Sequence, residues 1–162
     1  MNSSSAAVAN KDSIAFPLGR IASGLYVVTA GGGANKTGML ASWVMQAGFE
    51  PPAIAMAISP EREMYRLIQE TQRFSINILG KDNTGMMKTF GKYTPDQFTD
   101  LPHTETQYGV NLTDTIGVLH VTLQNIIPVG DHHLVTGLVE DGETFHAESE
   151  SFVHLRKSGF NY

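Results

Sequence analysis

Two strand-like runs, Val118 to Val129 and His133 to Glu140, are joined at Gly130-Asp131. So short a connection allows only an antiparallel pair, because parallel neighbours need a crossover of a dozen or more residues. The pattern recurs upstream. Leu25 to Ala30 and Gly38 to Gln46 read as a second hairpin across the loop of residues 31–36, and Ala53 to Ile58 is an apolar strand behind Pro51-Pro52. Phe74 to Leu79 alternates, with Phe74, Ile76 and Ile78 on one period, and a short strand is expected near Phe152 to Leu155. Helical spacing predicts a short amphipathic helix over Phe16–Ser23, with Phe16, Leu18, Ile21 and Ala22 apolar and Gly24 ending it. It predicts a second over Glu63–Thr71, with Met64, Leu67 and Ile68 in register, and a third around Thr84–Phe90. Residues 91–107 read as loop. Hairpins in series exclude a doubly wound parallel sheet. The expected fold is mainly β: a small antiparallel split barrel of six or seven strands with two or three peripheral helices.

A chain of 162 residues makes one domain with a real core. Residues 1–13, rich in Ser, Ala and Asn, are expected to be a flexible leader or linker remnant, with the domain over 14–162. No apolar run approaches the ~20 residues of a membrane span, and no secretory signal opens the chain, so a cytoplasmic location is expected. The chain has no Cys. That excludes disulfides, zinc fingers, iron–sulfur clusters and thiol chemistry; any redox function needs an exogenous cofactor. A net charge of −5 without a basic stripe argues against nucleic acid.

Motifs with fixed spacing are few. The segment 31–37 resembles a phosphate loop at first sight, but Asn35 precedes Lys36 where Gly is needed and no helix follows. No G-x-G-x-x-G opens a helix, and no G-x-S-x-G occurs. The histidines form no H-E-x-x-H. His132 and His133 are adjacent, so on a strand they face opposite sides and cannot share a metal; no metal site is expected. One constellation remains: the small and apolar strand Gly38-Met39-Leu40-Ala41-Ser42-Trp43-Val44-Met45-Gln46-Ala47-Gly48, running on to Pro51-Pro52. It suits a core strand, and equally a smooth surface with backbone N–H and C=O groups against which a flat amphiphilic ring can lie.

Residues 38–52 resemble the Gly-Met-Thr-Ala-Asn/Ser…Pro-Pro strand of the flavin reductase-like proteins of the FMN-binding split-barrel fold. Phe74 to Leu79 is similar to that family's Phe-x-x-Asn-Val-Leu strand. Gly130-Asp131-His132, Thr136-Gly137-Leu138-Val139 and the ending Phe152 to Gly159 follow in the family's order, so the resemblance covers about 15–160. Leu18 to Ala30, Met39 to Trp43 and the Arg-Lys-Ser-Gly-x-x-Tyr tail resemble one branch more closely, the C-terminal flavin reductase module of cyanobacterial flavodiiron proteins. Leu40 and Gly48 depart from the frequent Thr and Ser, each losing a hydroxyl near the cofactor.

The resemblance implies an NAD(P)H-dependent flavin reductase. It would bind FMN, with FAD as the alternative, and pass electrons from NADH or NADPH to free flavin or to a protein acceptor such as a flavodiiron core. By the family pattern Met39, Leu40, Ala41, Ser42 and Trp43 line the ring, Ala47 and Gly48 lie near the ribityl or phosphate, and Ser59 and Arg62 hold the phosphate. Ser59 is also expected to cap the following helix. His132 is expected at the reaction face, against a nicotinamide, or else as a turn residue bonded locally. His154 and Arg156 are expected to reach a flavin in this chain or its partner. Trp43 stacks on a ring or fills a core or subunit contact, and Met64, Met86 and Met87 are subunit surface or core. A homodimer is implied, as are diiron and flavodoxin-like domains upstream or in trans. Two other functions stay open: a flavin-binding electron relay without a nicotinamide site, and a cofactor-free assembly module.

Overall fold

The computed structural model describes residues 10–161. Helix α1 (Lys11–Gly19) leads to strands β1 (Tyr26–Ala30), β2 (Thr37–Ala41), β3 (Val44–Phe49) and β4 (Pro52–Ile58). Helix α2 (Glu63–Thr71), strand β5 (Arg73–Ile78) and helix α3 (Thr84–Phe90) follow. Strands β6 (His103–Thr106), β7 (Gly109–Leu112), β8 (Gly117–Val129) and β9 (His132–Thr144) complete the order. Seven strands form one sheet, β2-β1-β5-β8-β9-β4-β3, and β6-β7 is a separate hairpin. All paired strands are antiparallel, as the hairpin pattern predicts. No helix among the described residues is long and apolar enough to cross a membrane.

The two edges of that sheet, β2 and β3, are consecutive in the chain and joined only by Ser42-Trp43. Three peptide steps reach about 11 Å at most, so the sheet must roll until its edges come that close. No ladder joins β2 to β3, so the roll stays open along one seam. The sequence pattern predicts one strand over Gly38–Gln46. The structure breaks it at Ser42-Trp43, because the chain there leaves one edge of the sheet and starts the other. The Ala57 N–H donates to the Trp43 carbonyl at 3.0 Å and ties this crossing to β4.

Rolling explains the core. Val28 of β1 and Met56 of β4 are far apart in strand order yet share one fully buried cluster with Phe74, Ile76, Val121 and Val135. Helix α2 adds Met64, Leu67 and Ile68 to it. Val27, Leu79, Met86, Phe90, Phe98, Val110 and Leu112 form a second cluster on the other side of the sheet, beneath α3 and the β6-β7 hairpin. Strands β1 and β5 are therefore covered on both faces, so Ser75 and Asn77 are as buried as Ile76 between them. The Asn77 carboxamide donates to the Val27 and Val110 carbonyls, 3.1 Å each, and accepts from the Leu112 N–H at 2.7 Å. One buried side chain thus fastens the hairpin to the sheet.

Four expectations change. Helix α1 starts earlier than residue 16, because the Asn10 side chain caps it by accepting from the Ser13 N–H at 3.3 Å, and it ends at Gly19 rather than before Gly24. The leader expected over 1–13 lies, for residues 1–9, outside the described residues; Lys11 to Ser13 are helical. Residues 91–107, read as loop, contain β6, whose polar residues gave no strand signal. Phe152–Leu155 makes isolated bridges, Ser151 with Gly80 and His154 with Ser23, rather than a strand.

Candidate functional site

A cavity of about 630 Å³, within the usual range for small-molecule sites, opens along the seam of the rolled sheet. Five consecutive residues, Met39, Leu40, Ala41, Ser42 and Trp43, line it. Side chains of a strand alternate between faces, so a run of neighbours can line one cavity only along the strand's unpaired edge. Two hydrogen bonds fix which backbone groups face that edge. The Leu79 N–H donates to the Leu25 carbonyl at 3.1 Å, which turns residues 25, 27 and 29 toward β5 and leaves 26, 28 and 30 for β2. Through the register, Ala41, Met39 and Thr37 then bond β1, and Gly38, Leu40 and Ser42 point their backbone groups outward. The Gly38 N–H agrees, donating to Gln97 Oε1 at 3.2 Å.

The facing wall comes from the end of β4 and the turn into α2: Ala57, Ile58, Ser59, Glu61 and Arg62. Ser59 does not cap α2 as expected. Arg62 occupies the N-cap position without a side-chain cap bond, while Ser59 Oγ accepts from the Glu61 N–H (3.4 Å) and the Ser59 carbonyl from the Arg62 N–H (3.1 Å). Ser59 therefore closes the turn that carries Arg62. Among the described residues the Arg62 guanidinium forms no ion pair, whereas Arg66 one turn later is engaged by Glu63 and Glu70. That pairing holds the Glu63 carboxyl below its usual range.

His132, His154, Leu25, Met87 and Gly91 complete the lining. His132 and His133 diverge as adjacent strand residues must. The His132 ring meets Trp43 edge-on, centroids 5.0 Å apart, and its Nδ1 lies 2.9 Å from Asp131 Oδ1. This contact lowers the Asp131 carboxyl below its usual range. His133 instead turns to α2, its Nδ1 2.7 Å from the Tyr65 hydroxyl. Arg156 lies behind Trp43 with its guanidinium carbon 5.0 Å from the indole centroid. Trp43 is thus held between His132 and Arg156.

Among the expected site residues, Met39 to Trp43, Ser59, Arg62, His132 and His154 converge on one cavity, with Arg156 behind it. Ala47 and Gly48 do not reach it. They sit on β3, where the pairing with β4 slips between Gln46 and Gly48, and a Cβ at Gly48 would meet the Pro51 carbonyl at 3.0 Å. Glycine at that position suits the tight β3–β4 turn. Sequence reasoning missed Leu25, Ala57, Ile58, Glu61, Met87 and Gly91. The last two arrive because Gly38 lets α3 lie close on β2: a Cβ there would stand 2.5 Å from Phe90 Cε1. Met64 and Met86 are core; Met87 is cavity wall. Among the described residues, no three His, Cys, Asp or Glu side chains converge as a metal site requires.

The model of the flavin reductase like domain matches residues 18–161. A diflavin flavoprotein of Nostoc sp. is 39% identical over 150 residues, and diflavin flavoprotein A 1 of Synechocystis sp. 37%. Each match covers 90% of this chain but 26% of the relative, so the chain spans about a quarter of the length of the curated relatives it matches. The NADH:FAD oxidoreductase SgcE6 of Streptomyces globisporus superposes with a TM-score of 0.79 at 20% identity, covering 90% of this chain and 87% of that one. That protein has also been solved with NAD and FAD fragments. The styrene monooxygenase flavin reductase of Pseudomonas putida superposes at 0.77 with 19% identity, covering 86% and 90%. The structural likenesses establish the fold; the match over residues 18–161 establishes that the chain belongs to the flavin reductase-like family.

Proposed function

We propose that the seam cavity binds FMN, with FAD as the alternative, and that the chain is an NAD(P)H-dependent flavin reductase delivering electrons to free flavin or a protein acceptor. The observation that carries this is the exposed edge of β2. The outward N–H and C=O groups of Leu40 and Ser42 form a row of donors and acceptors suited to the polar rim of a planar ring. Leu25, Ala57, Ile58 and Met87 supply apolar wall, and Arg62 supplies a cation suited to a phosphate. This donor set fits a flavin phosphate: one polar edge, one apolar slot, one guanidinium. A bound flavin supplies the two-electron chemistry, accepting hydride from a nicotinamide.

The chain's own residues then bind, orient and exclude water. Leu40 and Ser42 backbone groups fix the ring's rotation. Arg62, placed by the Ser59 turn, fixes its far end. Trp43, braced by Arg156, and His132, bonded to Asp131, form the wall against which a nicotinamide is oriented. No side chain needs to take a proton for direct hydride passage, which agrees with a cavity whose one carboxylate, Glu61, sits at the outer turn. The names of the relatives and neighbours support flavin and NADH as ligands of this fold. A homodimer belongs to the same proposal. Edge strand β3 leaves Met45 and Phe49 64% and 88% exposed beside an apolar hollow of about 340 Å³.

His132→Ala tests the site. It is expected to slow NADH reduction of bound FMN roughly tenfold and to leave FMN affinity within about twofold, since orientation of the donor is lost and flavin contacts are kept. Stopped-flow absorbance and a flavin fluorescence titration measure the two. An unchanged reduction rate would remove His132 from the nicotinamide wall.

A further inference from the structure

Helix α1 and the segment 151–161 run side by side. The Arg156 N–H donates to the Gly19 carbonyl (3.0 Å), Gly159 to Ala15 (2.6 Å), and His154 and Ser23 exchange backbone bonds of 2.8 and 3.2 Å. The seam is close-packed at Gly159, where a Cβ would lie 2.2 Å from Leu18 Cβ. Yet its outer surface is apolar. Phe16, Ile21 and Val153 are each at least 60% exposed, and Leu18, Leu155 and Phe160 at least 36%. Phe16 and Leu18 of the helix and Ile21 just after it lie on this outer surface beside the tail. Strand-like alternation explains the tail half, because His154 turns to the cavity and its neighbours Val153 and Leu155 turn away from it. An exposed apolar patch of this kind marks an interaction site.

Its charge is opposite to that of the rest of the molecule. Residues 10–23 and 151–161 hold Lys11, Arg20, Arg156 and Lys157 against the single carboxylate Asp12; the remainder of the chain holds seven Lys and Arg against fifteen Asp and Glu. The cations frame the apolar centre, with Lys11 over the Phe160 ring at 5.3 Å and Arg20 over Phe16 at 4.8 Å. We propose that this face docks an acidic redox protein, or an acidic redox domain, with an apolar centre. A second copy fits it poorly, because a two-fold contact would set the cations Lys11, Arg20 and Lys157 of one copy against the same set of cations on the other. The choice of a redox partner rests on the reductase reading, since His154 and Arg156 join this face to the cavity; the docking itself does not. The diflavin relatives are about four times the length of this unit, so in them it has neighbours to meet.

The test uses the full chain on a biosensor with flavodoxin, an acidic flavoprotein, as probe. Basic cytochrome c and phosphatidylglycerol vesicles are the comparisons. Two variants outside the cavity are measured alongside, the double charge reversal Arg20→Glu/Lys157→Glu and the apolar change Ile21→Ser. Expected are salt-sensitive binding of flavodoxin in preference to cytochrome c, a loss of about tenfold or more in each variant, and unchanged NADH-dependent reduction of free FMN. Absence of flavodoxin binding, or equal binding by both variants, overturns the proposal. So does vesicle binding, or self-association, that only the variants lose, since a membrane or a second copy is then the occupant. Flavodoxin binding without any reduction of free FMN would overturn the reductase reading and with it the redox character of the partner, while sustaining the acidic docking face.

Discussion

Arg62→Ala is expected to weaken FMN binding by about ten- to a hundredfold and to leave riboflavin binding within about twofold. A hydrogen bond to a charged group contributes roughly 1.5–3 kcal/mol, and every 1.4 kcal/mol is tenfold in affinity. The effect should be near the top of that range for two reasons. Among the described residues Arg62 has no acidic partner to compete for it, and the Ser59 turn has already fixed its backbone. Riboflavin is the control because it carries the ring and ribityl chain without the phosphate. Fluorescence titration with both ligands separates a lost phosphate contact from a damaged cavity: equal weakening of both would place Arg62 in the scaffold instead.

Asn77→Leu is expected to cost about 3 kcal/mol of stability and lower the melting temperature by roughly 6–12 °C. Leu keeps the branched skeleton but sets methyl groups where the carboxamide made its hydrogen bonds, so lost polarity and crowding act in the same direction. The substitution removes three buried hydrogen bonds and strands the Leu112 N–H away from water, while the Val110 carbonyl keeps the Thr29 hydroxyl at 2.7 Å. The β6-β7 hairpin does not line the cavity, so FMN affinity of the folded variant should hardly change. A calorimetric scan with and without FMN measures both effects. A melting temperature within about 2 °C of the parent would mean that ordered water replaces the carboxamide.

How much of this was legible follows from the range of the interactions. Helices α2 and α3 have the predicted bounds because Met64, Leu67 and Ile68 carry the helical period locally, and because Thr84–Phe90 is short and bounded by Asn83 and Gly91. The break at Ser42-Trp43 was not legible. Nothing local distinguishes residues 38–46 from one strand; the break exists because the two edges of a rolled sheet are neighbours in the chain. The same long-range cause moved Ala47 and Gly48 away from the cavity. Strand β6 was hidden because His103–Thr106 is polar and pairs only with β7, which Asn77 holds from 35 residues away at Leu112. Strand β5 alternated as expected, but its polar face proved buried, which only the hairpin above it decides. The site itself was found by resemblance. Periodicity saw a smooth strand over Met39 to Trp43, and no local signal joins that strand to Arg62 or His132.

Anaerobic titration of the FMN-loaded protein with NADH, and then NADPH, is the most direct measurement of the central claim. The absorbance of oxidised flavin near about 450 nm is the readout. The account predicts that the band bleaches far faster than that of free FMN with the same donor, and the faster nucleotide identifies the physiological one. Bound FMN that stays oxidised with both donors would contradict it.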